Sequence, residues 1–127
     1  MRRQLDGAFS TRELRCRAEM QRWPDARTHL QTLVGQEIRT LTGRPNRVLA
    51  IRGDDVLVGT LKSPQGQPVP IAWVQSAIDM LERDGEVRID VATVGYRSAF
   101  VGAVLATLPR VEALTNPRRI RLRRGAF

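Results

Sequence analysis

The fold of this chain is decided by residues 70–124, which read PIAWVQSAIDMLERDGEVRIDVATVGYRSAFVGAVLATLPRVEALTNPRRIRLRR. After Pro70 the apolar residues recur at helical spacing, and the Asp84-Gly85 pair is typical of a helix end. Polar and apolar residues then alternate over 86–89, which indicates one short strand. The first part of the stretch therefore predicts a helix followed by a strand.

Two further helices are predicted next, with a turn between them. Asp90 can cap a brief helix that runs through Val94, and Gly95 supplies the turn. Residues 97–108 have helical periodicity, and Pro109 ends this third helix of the stretch.

The stretch closes with a two-stranded ribbon. Residues 111–114 are predicted to form a strand, residues 115–117 a turn and residues 118–124 a return strand in which arginines alternate with apolar residues. The order of helix, strand, short helix, turn, helix and ribbon is that of a winged helix-turn-helix. We therefore expect an α+β fold with a winged helix over residues 70–124.

Residues 94–101, with the sequence VGYRSAFV, add a resemblance. They are similar to the entry of the recognition helix in winged-helix modules associated with bacterial restriction and DNA-modification-dependent proteins. The resemblance extends over about half of the chain and includes no catalytic signature. It implies a targeting module that acts with a separate effector. It also suggests recognition of modified DNA, in a pocket that Trp73 or Tyr96 would line, although the spacing of Trp73 equally fits a core residue.

The N-terminal half predicts helices and a hairpin. A helix is expected between a Ser10 capping box and Pro24, and a second from Asp25 to Gly43, on an apolar stripe that includes Leu33, Val34 and Ile38.

Residues 47–52 and 56–61 predict a β-hairpin, with Gly53 at its turn, and residues 63–70 a connecting loop. Because an isolated hairpin is marginally stable, we expect residues 1–69 to pack on the module formed by residues 70–127 as one unit.

The charge of the chain points to a polyanionic partner. The formal net charge is +8, and residues 91–127 contain seven arginines and one acid, Glu112. Such an excess at one end of a chain favours nucleic acid, and we expect the partner to be double-stranded DNA. The prevalence of arginine over lysine would also follow from a GC-rich genome.

The candidate DNA-binding residues lie at two places. The opening residues of a recognition helix read base edges, which selects Tyr96, Arg97 and Ser98, although Ser98 could instead cap the helix and Tyr96 could pack at the turn. The return strand would bind phosphates, unless it is merely a solvated edge strand. Its candidates are Arg118, Arg119, Arg121, Arg123 and Arg124.

The sequence does not favour an enzyme. The single histidine, His29, has no neighbour in the sequence that would orient it, and Cys16 has no evident catalytic partner. A nuclease of the restriction type would need a carboxylate two residues before its lysine, but Lys62 is preceded there by Thr60. We therefore expect no catalysis, no cofactor and no metal.

A protein-interaction module is the alternative function. The helix predicted over 97–108 is apolar around most of its circumference, and Val101 and Leu105 form a second apolar face. That face could pack on the N-terminal hairpin, form a dimer or bind an effector protein. No apolar run is long enough to cross a membrane, so we expect a cytoplasmic protein.

Overall fold

The computed structural model describes residues 23–95 and 97–123. Its helices are α1 (Ala26–Leu33), α2 (Ile71–Asp84), α3 (Val91–Val94) and α4 (Ser98–Ala106). Its strands are β1 (Glu37–Arg39), β2 (Pro45–Arg52), β3 (Asp55–Thr60), β4 (Gln67–Pro70), β5 (Glu86–Arg88), β6 (Val111–Leu114) and β7 (Arg119–Leu122). The helix predicted from Ser10 to Pro24 lies outside the described residues except for its end.

The N-terminal strands form an antiparallel sheet in the order β1-β2-β3-β4. The predicted hairpin is confirmed as β2 and β3, with Arg52 opposite Asp55 and Gly53 in the left-handed region at φ 58°. The loop predicted over 63–70 is wrong at its C-terminal end, because residues 67–70 form β4. Strand β4 lies at the edge of the sheet, where Pro68 and Pro70 are tolerated since their missing N–H groups face no partner.

The long helix predicted from Asp25 to Gly43 is also wrong. Asp25 does cap α1, accepting a 2.8 Å hydrogen bond from the Thr28 N–H, but α1 ends at Leu33. Gly35 follows with φ 85°, which reverses the chain, and Ile38 then lies on β1. Ile38 is buried in either arrangement, so its apolar character could not distinguish helix from strand.

The elements predicted over residues 70–124 are observed in the expected order. Helix α2 begins at Ile71 rather than Pro70, which ends β4, and it stops at Gly85 with φ 78°. Asp90 caps α3 by accepting from the Thr93 N–H at 2.8 Å. Hydrogen bonding to the side chain of Thr93, and secondly to this N–H, lowers the pKa of the Asp90 carboxyl group. The second sheet has the order β5-β7-β6 and is antiparallel throughout.

Helix α4 passes through the middle of the core. All of its residues from Phe100 to Leu105 are buried. It contacts α2, the strands β6 and β7 of the second sheet, and β1 of the first sheet. Helix α1 packs on α2, so the N-terminal elements and the C-terminal elements share one hydrophobic core. Trp23 joins this core, and its indole Nε1–H donates to the Pro109 carbonyl oxygen at 2.8 Å.

The close approach of α4 to the residue after β5 gives a test of this packing. A Cβ atom added to Gly102 would lie 2.7 Å from Cγ2 of Ile89, which is 2% exposed. We expect Gly102→Ala to lower the free energy of unfolding by about 1–2 kcal/mol, because overpacking outweighs the better helix propensity of alanine. Urea denaturation would measure the change.

A double-mutant cycle controls for nonspecific effects. Ile89→Ala alone leaves a cavity, but combined with Gly102→Ala it gives the new methyl group space. We expect the double variant to lose less stability than the sum of the losses of the two single variants, by at least about 1 kcal/mol. Additive effects would contradict this packing.

Candidate functional site

The opening turn of α4 is held between the two halves of the chain. Gly95, with φ 99°, turns the chain back over Trp73, whose ring lies within van der Waals distance of a Cβ placed there. Arg97 is the N-cap residue of α4, and no side chain of the described residues caps this helix. The alternative in which Ser98 caps α4 is therefore wrong, because Ser98 is already the first helical residue.

Arg97 and Ser98 are half-buried rather than fully exposed. The Arg97 guanidinium donates a hydrogen bond to Oε1 of Gln67, on β4. Gln67 in turn donates from Nε2 to the Ser63 hydroxyl at 3.1 Å. Arg97 is thus tied to the N-terminal sheet, while Ala99 on the same turn is exposed. Tyr96 lies outside the described residues.

A cleft of about 580 Å³ lies between this turn and the sheet, and we call it the α4 cleft. Its lining comes from β2, β3 and β4, the connections between the strands of this sheet, and the first turn of α4. It comprises Thr40, Arg44, Pro45, Asn46, Val58, Thr60, Leu61, Lys62, Gln67, Val69, Arg97, Ser98, Ala99 and Phe100. Three of these residues are cations, and no carboxylate from the described part of the chain is among them.

A second depression lies on the other side of the β1–β2 turn. It has a volume of about 430 Å³ and is lined by Arg88, Asp90, Arg118 and residues of the β6–β7 turn. Thr42 of the β1–β2 turn reaches this depression, whereas Thr40 and Arg44 of the same turn line the α4 cleft. The two concave surfaces are therefore neighbours.

We call the cations along these neighbouring surfaces the basic path. They are Lys62, Arg97, Arg44, Arg88 and Arg118. Asp90 is the one acid that lines either surface among the described residues, and it lies 3.5 Å from Arg88.

The arginines of β7 alternate as expected but are partly neutralised. Ile120 is fully buried between Arg119 and Arg121, which share the opposite face of the strand. On that face Arg121 donates to Glu112 Oε2 at 2.9 and 3.0 Å, and Arg119 lies 3.5 Å from Glu86.

Two of the expected phosphate contacts are thus already opposite carboxylates. Arg118 and Arg123 are exposed, and Arg124 lies outside the part of the chain that is described.

Some residues of these surfaces were not anticipated from the sequence. Thr42 lies within the helix that the sequence predicts to end at Gly43, and Arg44 lies just beyond it. Lys62 enters the sequence prediction only as a lysine that lacks the carboxylate of a nuclease. The sequence carried no local signal for their proximity to Arg97, because that proximity depends on how β1 to β4 pack against α4.

The histidine has a packing role in the structure. His29 is 8% exposed, and its Nε2 lies 2.7 Å from the Thr107 hydroxyl, whose own hydrogen is directed to the Val104 carbonyl oxygen at 2.6 Å. This arrangement assigns the Nε2–H as the donor to Thr107. Burial lowers the pKa of His29 below its usual 6.5.

Comparisons of the chain with protein-family models, with curated proteins and with solved structures found no significant match. Within residues 23–95 and 97–123, no group of three or more His, Cys, Asp or Glu side chains is arranged to hold a metal ion. None of the described helices combines the length and the apolar character needed to cross a membrane.

The buried histidine predicts a pH dependence of stability. Because the pKa of His29 is lower in the folded state than in the unfolded state, its contribution to stability is complete above the unfolded pKa of about 6.5, and it is lost as the pH falls from there through the lower folded-state pKa. We therefore expect the free energy of unfolding to be lower at pH 5.5 than at pH 7.5. Chemical denaturation at both pH values would measure it.

His29→Gln is the matched control, since glutamine can still donate to Thr107 but does not titrate. Its stability should change much less over the same interval. An equal loss in both proteins would assign the pH dependence to other groups.

Proposed function

We propose that the chain is a non-catalytic protein that binds double-stranded DNA through a winged helix-turn-helix. The order α2, β5, α3, α4, β6, β7 and the sheet order β5-β7-β6 support this assignment of residues 71–122. In that assignment α4 corresponds to the recognition helix and the β6–β7 hairpin to the wing.

The observation that carries the proposal is the basic path. It follows the opening turn of α4 and continues to the tip of the wing at Arg118. DNA has one negative charge per about 1.7 Å of its axis, so neighbouring cations can neutralise successive phosphates and release their counterions. Lys62 and Arg44 are exposed, and neither forms an ion pair with any described residue.

The proposed complex differs from one in which the recognition helix lies along the major groove. Residues 100–105 of α4 are buried, so only its first turn can approach DNA. Arg97 and Ser98 would contact the duplex there, with Arg118 and Arg123 on the backbone. Arg119 and Arg121 would contribute less to DNA binding than the sequence predicts, because each arginine would have to leave the carboxylate with which it forms an ion pair.

Such binding without chemistry suits a targeting module that acts with a separate effector in restriction or regulation. The alternative of a dimer formed through α4 receives less support. Val101 and Leu105, the face that would associate, are fully buried inside the chain. Exposing them would require the core to open.

The basic path is tested by charge reversal. We expect the double variant Arg44→Glu, Arg118→Glu to bind a plain duplex at least ~10-fold more weakly, because two phosphate contacts become repulsions. The slope of log K against log salt should fall in magnitude by about 2. Fluorescence anisotropy across ionic strength would measure both quantities.

Arg52→Glu is the matched control, because Arg52 is an exposed arginine at the opposite end of the strand that follows Arg44. It should retain the affinity and most of the salt slope. If it weakened binding as much as the double variant does, the charge effect would be general and the basic path would be rejected.

Removing the negative charge opposite Arg121 provides a test in which the affinity for DNA should rise rather than fall. Glu112→Gln keeps the side-chain shape but removes the charge that pairs with Arg121. We expect duplex affinity to rise about threefold and the salt slope to steepen by up to about 1, since one more cation becomes available to phosphate. Asp54→Asn, at the distant β2–β3 turn, removes the same charge and should change the affinity less. Equal increases would indicate a net-charge effect only.

A further inference from the structure

We propose that the α4 cleft is a binding site for a single nucleotide, held by its 5′-phosphate at the start of α4 and by its base against the sheet. This goes beyond the basic path, because a phosphate on the DNA surface needs no enclosed cavity. The site differs from the path in three features of its lining.

The first feature is a buried amide that has no hydrogen-bond partner among the described residues. Asn46 is only 7% exposed, yet its side chain forms no hydrogen bond with any residue that the structure describes. Asn46 lies opposite Thr60 and Ile38, on the same face of the sheet as Val48, so its side chain is directed to the side where the cleft lies. Buried polar groups without a partner are rare in folded proteins. A ligand that exchanges hydrogen bonds with this amide would satisfy it.

The second feature is the uncapped N-terminus of α4. The helix has nine residues, and its first three, Ser98, Ala99 and Phe100, line the cleft. The N–H groups of a first helical turn have no partners within the helix, and in the described part of the chain no side chain caps them. Such a terminus favours a phosphate through its N–H groups and through the helix dipole. Arg97, Arg44 and Lys62 supply further positive charge.

The third feature is an apolar floor. Val58, Val69 and Phe100 are buried residues that line the cleft beside the amide. An inorganic phosphate would leave this floor uncovered, whereas a nucleobase has flat apolar faces and a hydrogen-bonding edge. Asparagine can form two hydrogen bonds with such an edge. The volume of about 580 Å³ lies within the range of small-ligand sites, and a nucleotide is a ligand of that size.

Isothermal titration calorimetry with the full chain would test the site. The probes are the four deoxynucleoside 5′-monophosphates, the corresponding nucleosides and inorganic phosphate. We expect at least one nucleotide to bind at one per chain with a submillimolar Kd. Its nucleoside should bind at least ~10-fold more weakly, because the contacts at the α4 terminus are charge-assisted. Absence of nucleotide binding at millimolar concentration would overturn the proposal.

Two variants locate the ligand. Asn46→Leu removes the amide without adding charge, and it should weaken the nucleotide ~10-fold while leaving inorganic phosphate unchanged. Ser98→Asp places a negative charge in the first turn of α4, where it favours the helix but repels phosphate. It should weaken both ligands. Nucleotide binding that neither variant alters would place the ligand elsewhere and reject the site.

Competition with duplex DNA distinguishes the two sources of such a nucleotide, which are a free nucleotide and the end of a DNA strand. A duplex with 5′-phosphorylated ends should displace the free nucleotide if the ligand is the end of a DNA strand, and should not if the ligand is a free nucleotide. Arg118→Glu lies outside the cleft, so it should weaken plain duplex while nucleotide binding persists. Failure of the cleft and failure of the proposed DNA-binding function therefore give different results.

Discussion

The structure depends on the need to cover α4 from every side. Nearly all of its residues are apolar, and those from Phe100 to Leu105 lie in the core. A helix of this kind cannot be stable on a surface, because burial of its side chains is what stabilises it. Helix α2, the second sheet and β1 together provide the cover. The N-terminal sheet is therefore required by the C-terminal elements, and it cannot be regarded as an optional addition to them.

The same requirement creates the concave surface. Strand β1 reaches α4, and the adjoining strands extend past the first turn of the helix, where Arg97 bonds to Gln67 on β4. Strands β2, β3 and β4 with their connections lie on one side of this space, and the first turn of α4 lies on the other. The space left between them is the α4 cleft, and the residues at its edge are those of the connections, which carry Arg44 and Lys62. Packing of the core thus brings together cations that are far apart in the sequence.

The sequence predicts the fold best where local signals agree with tertiary contacts. Asp90, Gly85 and Gly53 occupy the caps and the turn expected of them, because capping and positive φ are local properties. Ile38 shows where this fails: its spacing continues the stripe of α1, but pairing with β2 gives it the same burial in a strand. The sequence predicts a loop in place of β4, because the prolines of this segment suit a loop as well as the edge of a sheet.

The candidate site was predictable to a smaller extent, because it depends on pairing between distant residues. Arg97 and Ser98 could be selected from their place at a helix entry. The pairing of Glu112 with Arg121 could not be predicted from the sequence, since it depends on the register of β6 with β7.

No local feature of the sequence marks Asn46 as a site residue, because its burial results from the alternation of buried and exposed side chains along β2.

The ion pairs of the arginines on β7 also affect how a protein with a charge of +8 would bind a polyanion. If every arginine of residues 118–123 met a phosphate, binding would be strong and largely independent of sequence. With Arg119 and Arg121 paired to acids, such a complex would contact fewer phosphates, and more of the interaction would have to come from the turn at Arg97. That turn is short and half-buried, so few base edges can reach it. If the protein binds DNA as proposed, its discrimination would come from the shape and chemistry of the group that enters between helix and sheet, rather than from a long helix in a groove.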